Sequence, residues 1–282
     1  MFELSEKDHL ELSAFIEKKY GIKMPLQKKI LLQTRLQKRA LKLGYPTIHS
    51  YMDFLFSPEG KLAELDHFAT IISTHKTEFF REIEHFTALK TLILPELMSD
   101  ENLGKSDSLV VWSSASSTGE EVYSIAMTVN GFYQKQGNFS PQFKVIGTDI
   151  SDNIVEQARH AIYSDEALQS IPIEYRHYLM RSKDPKRAVI RIVPELRHFT
   201  DFRRQNLMDT QYKVKKGIHI IFCRNVLIYF DKPTQETILR KLVSLLAPNG
   251  FLLVGHSESI LGMDIAVEPV QPAIYRKAKG TL

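Results

Sequence analysis

The sequence predicts an α/β protein in which a helical N-terminal region precedes a doubly wound, mostly parallel β-sheet. Apolar residues within 5–85 recur at helical spacing, and from about residue 109 short β-rich runs alternate with helical ones. The chain has 282 residues, of which 43% are hydrophobic and 25% charged, a composition typical of a globular protein that buries a core.

The first 85 residues have the start and stop signals of several helices. Ser5 is placed to cap the first helix, and Pro25 stands where a second can begin. Leucines and arginines between 31 and 43 follow helical spacing, which the run Gly44, Tyr45 and Pro46 ends. Further apolar periodicity at 48–55 and 62–72 predicts a small helical bundle.

The rest of the chain reads as strands joined by crossover helices. A strand at 109–113, a helix at 122–133, a strand at 143–150 and a helix capped by Ser151 form two βα units. A second set comprises a strand at 218–222, a helix at 233–246, a strand at 251–255 and a closing hairpin at 265–275. Two β-prone runs between these sets, 188–193 and 199–202, indicate an insertion.

The composition also indicates the compartment. Cys223 is the single cysteine and lies in an apolar run, which is typical of a buried thiol in a reducing environment. The acidic N-terminus MFELSEKD differs from a signal peptide, and no stretch approaches the roughly 20 apolar residues of a membrane span. We therefore expect a cytoplasmic protein.

Positive charge is concentrated near the N-terminus. The net charge is only +4, yet residues 18–52 include nine Lys or Arg and no Asp or Glu. Such a segment favours an acidic partner.

A loop of small residues, WSSASSTGEE (112–121), lies between a predicted strand and a predicted helix. Small side chains let the backbone approach a ligand closely, although a plain βα turn would have a similar composition. Glu120 and Glu121 offer carboxylates to the ammonium group of an amino-acid cofactor, or simply complement the helix dipole. The single glycine, Gly119, excludes the dinucleotide fingerprint.

Polar residues follow three further β-prone runs. Asp149 ends the second strand, where a carboxylate holds ribose hydroxyls in doubly wound sheets, and Ser151 is better placed than Asp149 to cap the next helix. Arg224 and Asn225 follow the strand at 218–222, with Tyr229 close behind, and Asn206 follows the run at 202. These asparagines suit either a ligand crevice or ordinary turns.

The segment THKTEFFRE (74–82) joins the two regions. Arg81, beside two phenylalanines, is suited to anchor a carboxylate or to form an ion pair across the junction. The ten histidines show no HExxH spacing, so no metal site is expected. His256, beside Ser257, has no identifiable partner acid and is interpreted as structural.

Together these motifs resemble the CheR family of chemotaxis receptor methyltransferases. The resemblance spans residues 5–278 and rests on five ordered pieces: TEFFRE (77–82), STGEEVYSIAM (117–127), TDIS (148–151), FCRNVLIYFD (222–231) and LLAPNGFLLVGHSES (245–259). It implies an N-terminal helical, basic receptor-docking domain with its linker (1–85) and a class I S-adenosylmethionine-dependent methyltransferase domain (86–282). A small antiparallel β-subdomain would be inserted at about 168–203.

The resemblance also implies an activity. Members of the family are protein-glutamate O-methyltransferases, which transfer a methyl group from S-adenosylmethionine to glutamate carboxylates of bacterial chemoreceptors and release S-adenosylhomocysteine. The implied partners are the receptors' cytoplasmic methylation helices, together with a receptor C-terminal tether that would bind the β-subdomain. The loop at 182–188 (SKDPKRA), however, has none of the glycines that tether-binding relatives often have.

Residue by residue, the resemblance implies three sets. Arg81 and Tyr229 would face the methyl-transfer region, and Arg35, Lys38, Arg39 and Lys42 would dock on acidic receptor helices. The residues implied to bind the cofactor are His75, Thr77, Arg81, Glu120, Asp149, Asn206, Leu207, Asn225 and Val226. His75 departs from the family, which usually has asparagine there.

Two other functions remain compatible with the sequence. One is a cofactor-binding signalling module without catalysis, for which the change at His75 argues while Arg81, Asp149, Asn225 and Tyr229 argue against it. The other is an RNA methyltransferase that uses the basic segment. That segment lacks interleaved stacking aromatics, which argues against RNA.

Overall fold

A computed structural model describes residues 3–99, 103–138, 140–184 and 186–279, and its first part is helical. The helices are α1 (Glu6–Tyr20), α2 (Lys29–Lys42), α3 (Ile48–Phe56), α4 (Pro58–Ala63) and α5 (Leu65–Ile72), with a 3₁₀ turn, Leu26–Lys28, before α2. Ser5 caps α1 by accepting from the Asp8 N–H, which confirms the predicted start. The predicted run 62–72 is divided between α4 and α5, whose boundary falls at Glu64.

The helical region has its own apolar core. Its members include Leu12 and Ile16 of α1, Leu36 of α2 and Phe68 of α5, all fully buried. Tyr229 of the sheet region packs against this core from outside.

A buried ion pair joins α2 to the α4–α5 boundary. The Nε and Nη2 atoms of Arg39 each donate to a carboxylate oxygen of Glu64 at 2.7 Å, and the Tyr51 hydroxyl donates to the same carboxylate at 2.9 Å. The Arg39 side chain is 13% exposed and that of Glu64 3%. Arg35 also faces inward, donating to the Ile71 carbonyl at 2.9 Å. These two guanidiniums therefore hold the bundle together, in contrast to the docking role expected for them.

The second part of the chain alternates strands and helices. Its elements are α6 (Ile83–Ala88), a π turn (Leu89–Ile93), α7 (Leu94–Leu97), β1 (Leu109–Ser114), α8 (Glu120–Lys135), β2 (Phe143–Asp149), α9 (Asp152–His160), β3 (Ile162–Ser164), 3₁₀ turns (Asp165–Gln169 and Ile173–Tyr178), β4 (Leu179–Arg181), β5 (Val189–Ile192), α10 (Pro194–Arg197), β6 (Thr200–Arg204), β7 (Ile218–Cys223), a 3₁₀ turn (Leu227–Tyr229), α11 (Lys232–Leu245), β8 (Leu246–Val254), β9 (Val267–Gln271) and β10 (Ile274–Lys277).

The large sheet has seven strands in the order β6-β2-β1-β7-β8-β10-β9. Neighbours from β6 to β8 are parallel, whereas β10 is antiparallel to both β8 and β9, as the predicted closing hairpin requires. Neighbouring residues of β1 serve opposite faces, because Val111 belongs to one apolar cluster and Trp112 to the other. The chain proceeds outward from β1 in one direction and later from β7 in the other, so a crevice is expected at their carboxyl ends.

A small antiparallel sheet, in the order β3-β5-β4, is inserted between β2 and β7. Its strands differ from the expected insert of 168–203 at both ends. The short strand β3 precedes that range, and β6 belongs to the large sheet because Thr200–Arg204 pairs in parallel with β2. The loop between β4 and β5 includes Pro185, which lies outside the described residues.

Polar contacts fasten the helical region to the carboxyl edge of the large sheet. The Asp66 carboxylate accepts from the Asp152 N–H at 2.7 Å and from the Asn153 side chain at 2.8 Å. On the other side, the Lys23 N–H donates to the Tyr229 carbonyl at 3.1 Å. No helix in the described ranges has the length and apolar character needed to cross a bilayer.

Because of the Arg39–Glu64 ion pair, we expect substitutions at two neighbouring residues of α2 to differ strongly in their effect on the stability of the protein. Replacing Arg39 by Met should lower the free energy of unfolding by about 3 kcal/mol, because Glu64 remains buried without its cation. The matched control Lys38→Met, at an exposed position, should change it by at most about 0.5 kcal/mol. Urea unfolding followed by circular dichroism measures both, and equal midpoint shifts would contradict the structural role of Arg39.

Candidate functional site

A cavity opens at the carboxyl ends of β1, β2 and β7, where the direction of strand order changes. Its floor is formed by the segments that follow these strands and β6, and its roof by α1 and residues 72–78. The predicted residues that line it are His75, Thr77, Arg81, Asp149, Asn206, Leu207, Asn225, Val226 and Tyr229. The fold thus brings together side chains that are up to 154 positions apart (229 − 75).

The small-residue loop after β1 has a constrained backbone. Ala115 and Ser117 have positive φ values of 125° and 49°, which residues other than glycine rarely adopt. The N–H groups of Ala115 and Ser116 donate to the Thr148 carbonyl at 2.9 and 2.8 Å, which holds the loop against β2. The loop is therefore held in a defined conformation in the cavity wall, which suits a ligand-binding loop better than a plain βα turn.

Asp149 lies in the floor at the end of β2 and is 6% exposed. Its carboxylate accepts from the N–H groups of Ser117 at 3.0 Å and Ser151 at 3.3 Å. Burial raises the pKa of Asp149, against the opposing effect of His75 and these N–H donors. Ser151 caps α9 through the Ile154 N–H, so helix capping does not account for Asp149.

The two glutamates at the start of α8 face different clefts. The Glu121 carboxylate accepts from the Ser113 hydroxyl at 2.8 Å and lines the cavity. Glu120 accepts from the Thr118 hydroxyl at 2.7 Å and faces a separate cleft beside Tyr163. Adjacent helical residues point about 100° apart, so only one of two consecutive side chains can face the cavity. The structure thus places Glu121, and not the expected Glu120, in the cavity wall.

Arg224 connects the walls of the cavity to one another. Its side chain has no exposed surface and forms ion pairs with Glu82 at 2.9 Å and Glu121 at 3.0 Å. It also donates to the Arg81 carbonyl at 2.5 Å. Burial raises the pKa of Glu121 and Arg224 opposes that rise. Burial also tends to raise the pKa of Glu82, but hydrogen bonds from Asn225 and Arg224 and the charge of Arg224 outweigh burial, so the pKa of Glu82 is lowered.

Arg81 is presented by a strained segment. The residues on either side of it, Phe80 and Glu82, have positive φ values of 54° and 56°. The Phe80 N–H donates to the Ser124 hydroxyl at 3.0 Å, and the Arg81 guanidinium reaches the Lys76 carbonyl at 3.0 Å. Arg224 forms the ion pairs with Glu82 and Glu121, whereas Arg81 has no carboxylate partner among the described residues and is a cation in the cavity wall.

The two asparagines are held by protein partners. The Asn206 side chain donates to the Lys19 carbonyl at 2.9 Å, and the Asn225 side chain donates to Glu82 at 3.1 Å. Asn225 has a φ of 58°, a left-handed value that asparagine tolerates better than most residues. Tyr229, on the 3₁₀ turn after β7, has Lys28 5.9 Å from its ring centre.

The cavity has features that fit an amino-acid-bearing nucleoside. A buried carboxylate at the end of the second strand suits ribose hydroxyls. Two buried polar atoms in the wall, Ser116 Oγ and His75 Nε2, have no hydrogen-bond partner among the described residues. Buried polar atoms usually have partners, so these two are available to a ligand. The sheet order and this site define a class I S-adenosylmethionine-dependent methyltransferase.

Family models match both parts of the chain. Residues 75–275 match "CheR methyltransferase, SAM binding domain", and residues 8–70 match "CheR methyltransferase, all-alpha domain". The chain belongs to the CheR methyltransferase family. The fold class that the resemblance implies is therefore confirmed, and the cofactor is S-adenosylmethionine.

Similar proteins include three named chemotaxis methyltransferases. The "Chemotaxis protein methyltransferase" of Escherichia coli (strain K12) is 37% identical over 257 residues, which cover 91% of this chain and 85% of that protein. "Chemotaxis protein methyltransferase 2" of Pseudomonas aeruginosa is 32% identical over 98% of this chain and 95% of its own length. The protein from Borreliella burgdorferi is 34% identical, with 96% and 94% covered.

Several cavity residues lie outside the set that the resemblance implies for the cofactor, although Glu121 and Arg224 were considered from their motifs. Among them are Tyr20, Ser116, Glu121, Gln205 and Arg224. Ser116, Glu121 and Arg224 lie inside motifs that were recognised, so the motifs indicated the region while the helix rotation and loop path decided the residue. Tyr20 comes from α1, and nothing in its local sequence separates it from an ordinary core tyrosine.

Glutamine substitutions at the start of α8 test which glutamate serves the cavity. Glu121→Gln should weaken S-adenosylhomocysteine binding by at least about tenfold, because Arg224 loses a charged partner in the wall. The matched variant Glu120→Gln should bind within about twofold of the original protein, because its side chain faces the other cleft. Isothermal titration calorimetry gives both affinities, and a larger loss in Glu120→Gln would return that residue to the cofactor site.

Proposed function

We propose that the protein methylates glutamate side-chain carboxylates of bacterial chemoreceptors in the cytoplasm and so serves chemotactic adaptation. The observation that supports this most directly is a cationic side chain, Arg81, held by a strained backbone in the wall of a methyltransferase cavity. A guanidinium is the side chain best suited to hold a carboxylate. The names of the similar proteins support chemotaxis as the setting.

The cavity lining supports a proposed set of cofactor-binding residues. Asp149 would hold the ribose hydroxyls, while His75, Thr77 and Arg81 line the roof side and Asn206, Leu207, Asn225 and Val226 line the floor. When bound, S-adenosylmethionine supplies an electrophilic methyl group on its sulfonium sulfur. The side-chain amides of Asn206 and Asn225 donate to protein groups, and so do their backbone N–H groups, so both residues would act mainly by shaping the cavity wall.

The chemistry needs orientation more than activation. A glutamate side chain has a pKa near 4.3, so at neutral pH the substrate is already an ionised nucleophile and requires no general base. Arg81 would fix the carboxylate, and Tyr229 would line its path to the methyl group. As the new ester C–O bond forms, the C–S bond breaks and S-adenosylhomocysteine is left. Exclusion of water by the roof supports this step.

Receptor docking is proposed for the exposed side of α2. Lys38 and Lys42 are exposed, whereas Arg35 and Arg39 have their guanidiniums tied to the bundle. The two lysines are therefore the members of the expected set that can meet an acidic receptor helix. Attraction between exposed charges weakens with salt, so the KM for receptor should rise with ionic strength.

The receptor tether belongs to the same proposal. The small sheet ends in an edge strand, β4, and an edge strand can pair with an added strand. A receptor fragment lacking its C-terminal segment would measure the contribution of this contact to methylation.

Transfer of label to receptor fragments tests the reaction. We expect radiolabel from S-adenosylmethionine to enter cytoplasmic receptor fragments as a base-labile ester, and to be absent when the methylation-site glutamates are changed to alanine. Label that persists in the alanine fragments would refute glutamate as the acceptor. Measurable S-adenosylhomocysteine binding without any label would point instead to a signalling module that does not catalyse.

Tyr229→Phe tests the methyl path. Removing the hydroxyl should lower kcat by roughly tenfold while S-adenosylhomocysteine affinity stays within about twofold, because the ring that lines the cavity remains. Steady-state kinetics and calorimetry separate the two effects. A loss of affinity as large as the loss of kcat would place Tyr229 in cofactor binding instead.

A further inference from the structure

A second cluster of chemically reactive side chains lies beside the methyltransferase cavity. Glu82, His85 and His256 place one potential ligand atom each within 4.8 Å of one another, and none of the three lines the cavity. The Glu82 carboxylate is 3.5 Å from Nδ1 of His85. The two imidazole rings are 4.7 Å apart between centres and inclined at 70°.

We propose that Glu82, His85 and His256 form a binding site for a divalent late transition-metal ion such as Zn²⁺. Two histidines and one carboxylate are a ligand set that such ions favour, with bonds of about 2.0–2.2 Å. The spacing Glu-x-x-His at 82–85 places two donors on one side of a helix start, an arrangement that recurs in metal proteins.

His85 provides independent support for a ligand at this place. It is 1% exposed, and neither ring nitrogen makes a hydrogen bond within the described part of the chain. A buried polar group without a hydrogen-bond partner is unfavourable, so packing alone leaves the presence of this histidine unexplained. A metal ion would give one of these nitrogens the partner that it lacks.

One member of the cluster is open to solvent. His256 is exposed, so the third ligand can turn and the site is open to ions from solvent.

The cluster adjoins charges of both signs. Glu82 brings a carboxylate to it and also pairs with Arg224, which in turn pairs with Glu121. Arg224 is itself a cation close to the site, and it shares Glu82 with it. Glu82 is therefore the residue through which a bound metal would act on the cavity wall.

A chromophoric zinc indicator tests the proposal on the full chain, produced without a histidine tag and treated with a chelator beforehand. We expect one Zn²⁺ site per chain, whose affinity falls at least about tenfold in His256→Ala. The matched control His160→Ala removes an equally exposed histidine outside the cluster and should bind Zn²⁺ as the original protein does.

Two further readouts distinguish this site from scattered surface binding. Co²⁺ should give visible d–d absorption that disappears in His256→Ala, and Zn²⁺ should raise the thermal unfolding temperature of the original protein more than that of this variant. Equal Zn²⁺ affinities for the original protein, His256→Ala and His160→Ala would overturn the proposal. Because all three measurements are made without receptor or methyl transfer, their outcome is independent of the proposed function.

Discussion

The active cavity depends on a single buried guanidinium. Arg224 follows β7 and binds Glu82 at the linker, Glu121 at the start of α8 and the carbonyl of Arg81. Two separate stretches of chain, the linker and the start of α8, are thereby fixed to the end of one central strand. Removing one partner from such a buried network typically costs about 3–5 kcal/mol, because the remaining charges stay desolvated.

This network explains how strained backbone persists in the cavity wall. Positive φ values at Phe80 and Glu82 are unfavourable by themselves, and so are those at Ala115 and Ser117. In each case neighbouring polar groups hold the conformation, through Arg224 in the linker and through the Thr148 carbonyl in the loop. These contacts hold the wall in place without a ligand, which favours the orientation of a nucleophile that needs no base.

The sequence predicted the framework of the fold well for physical reasons. Apolar periodicity and turn residues set the strands at 109–113 and 218–222 and the helices after them, and Asp149 could be placed because a strand end defines its position. The family motifs then predicted which residues meet at the cavity. The sequence could not predict which of Glu120 and Glu121 faces the cavity. The two residues have the same side chain, and only the orientation of the helix about its axis distinguishes them.

Long-range pairing limited the remaining predictions. Arg39 looked like a free docking cation because its partner, Glu64, lies 25 positions away in another helix. The predicted insertion ends at 203 because residues 200–204 favour a strand whichever sheet they join. The sequence alone does not show that this strand pairs with β2. His85 and His256 are 171 positions apart (256 − 85), so no spacing rule could have joined them.

The division of the cavity between two parts of the chain has a kinetic consequence. Ile150 and Tyr229 of the sheet region pack against the helical core. The other described junction contacts are mainly polar, and they include hydrogen bonds of Thr70 and Asn206 and the ion pair of Lys23 with Asp231. Such a seam opens at much lower free energy than a shared core does. Opening of this seam is therefore expected to contribute to the release of spent cofactor, and a receptor helix docked on α2, as proposed, would change turnover by altering how readily the two parts separate.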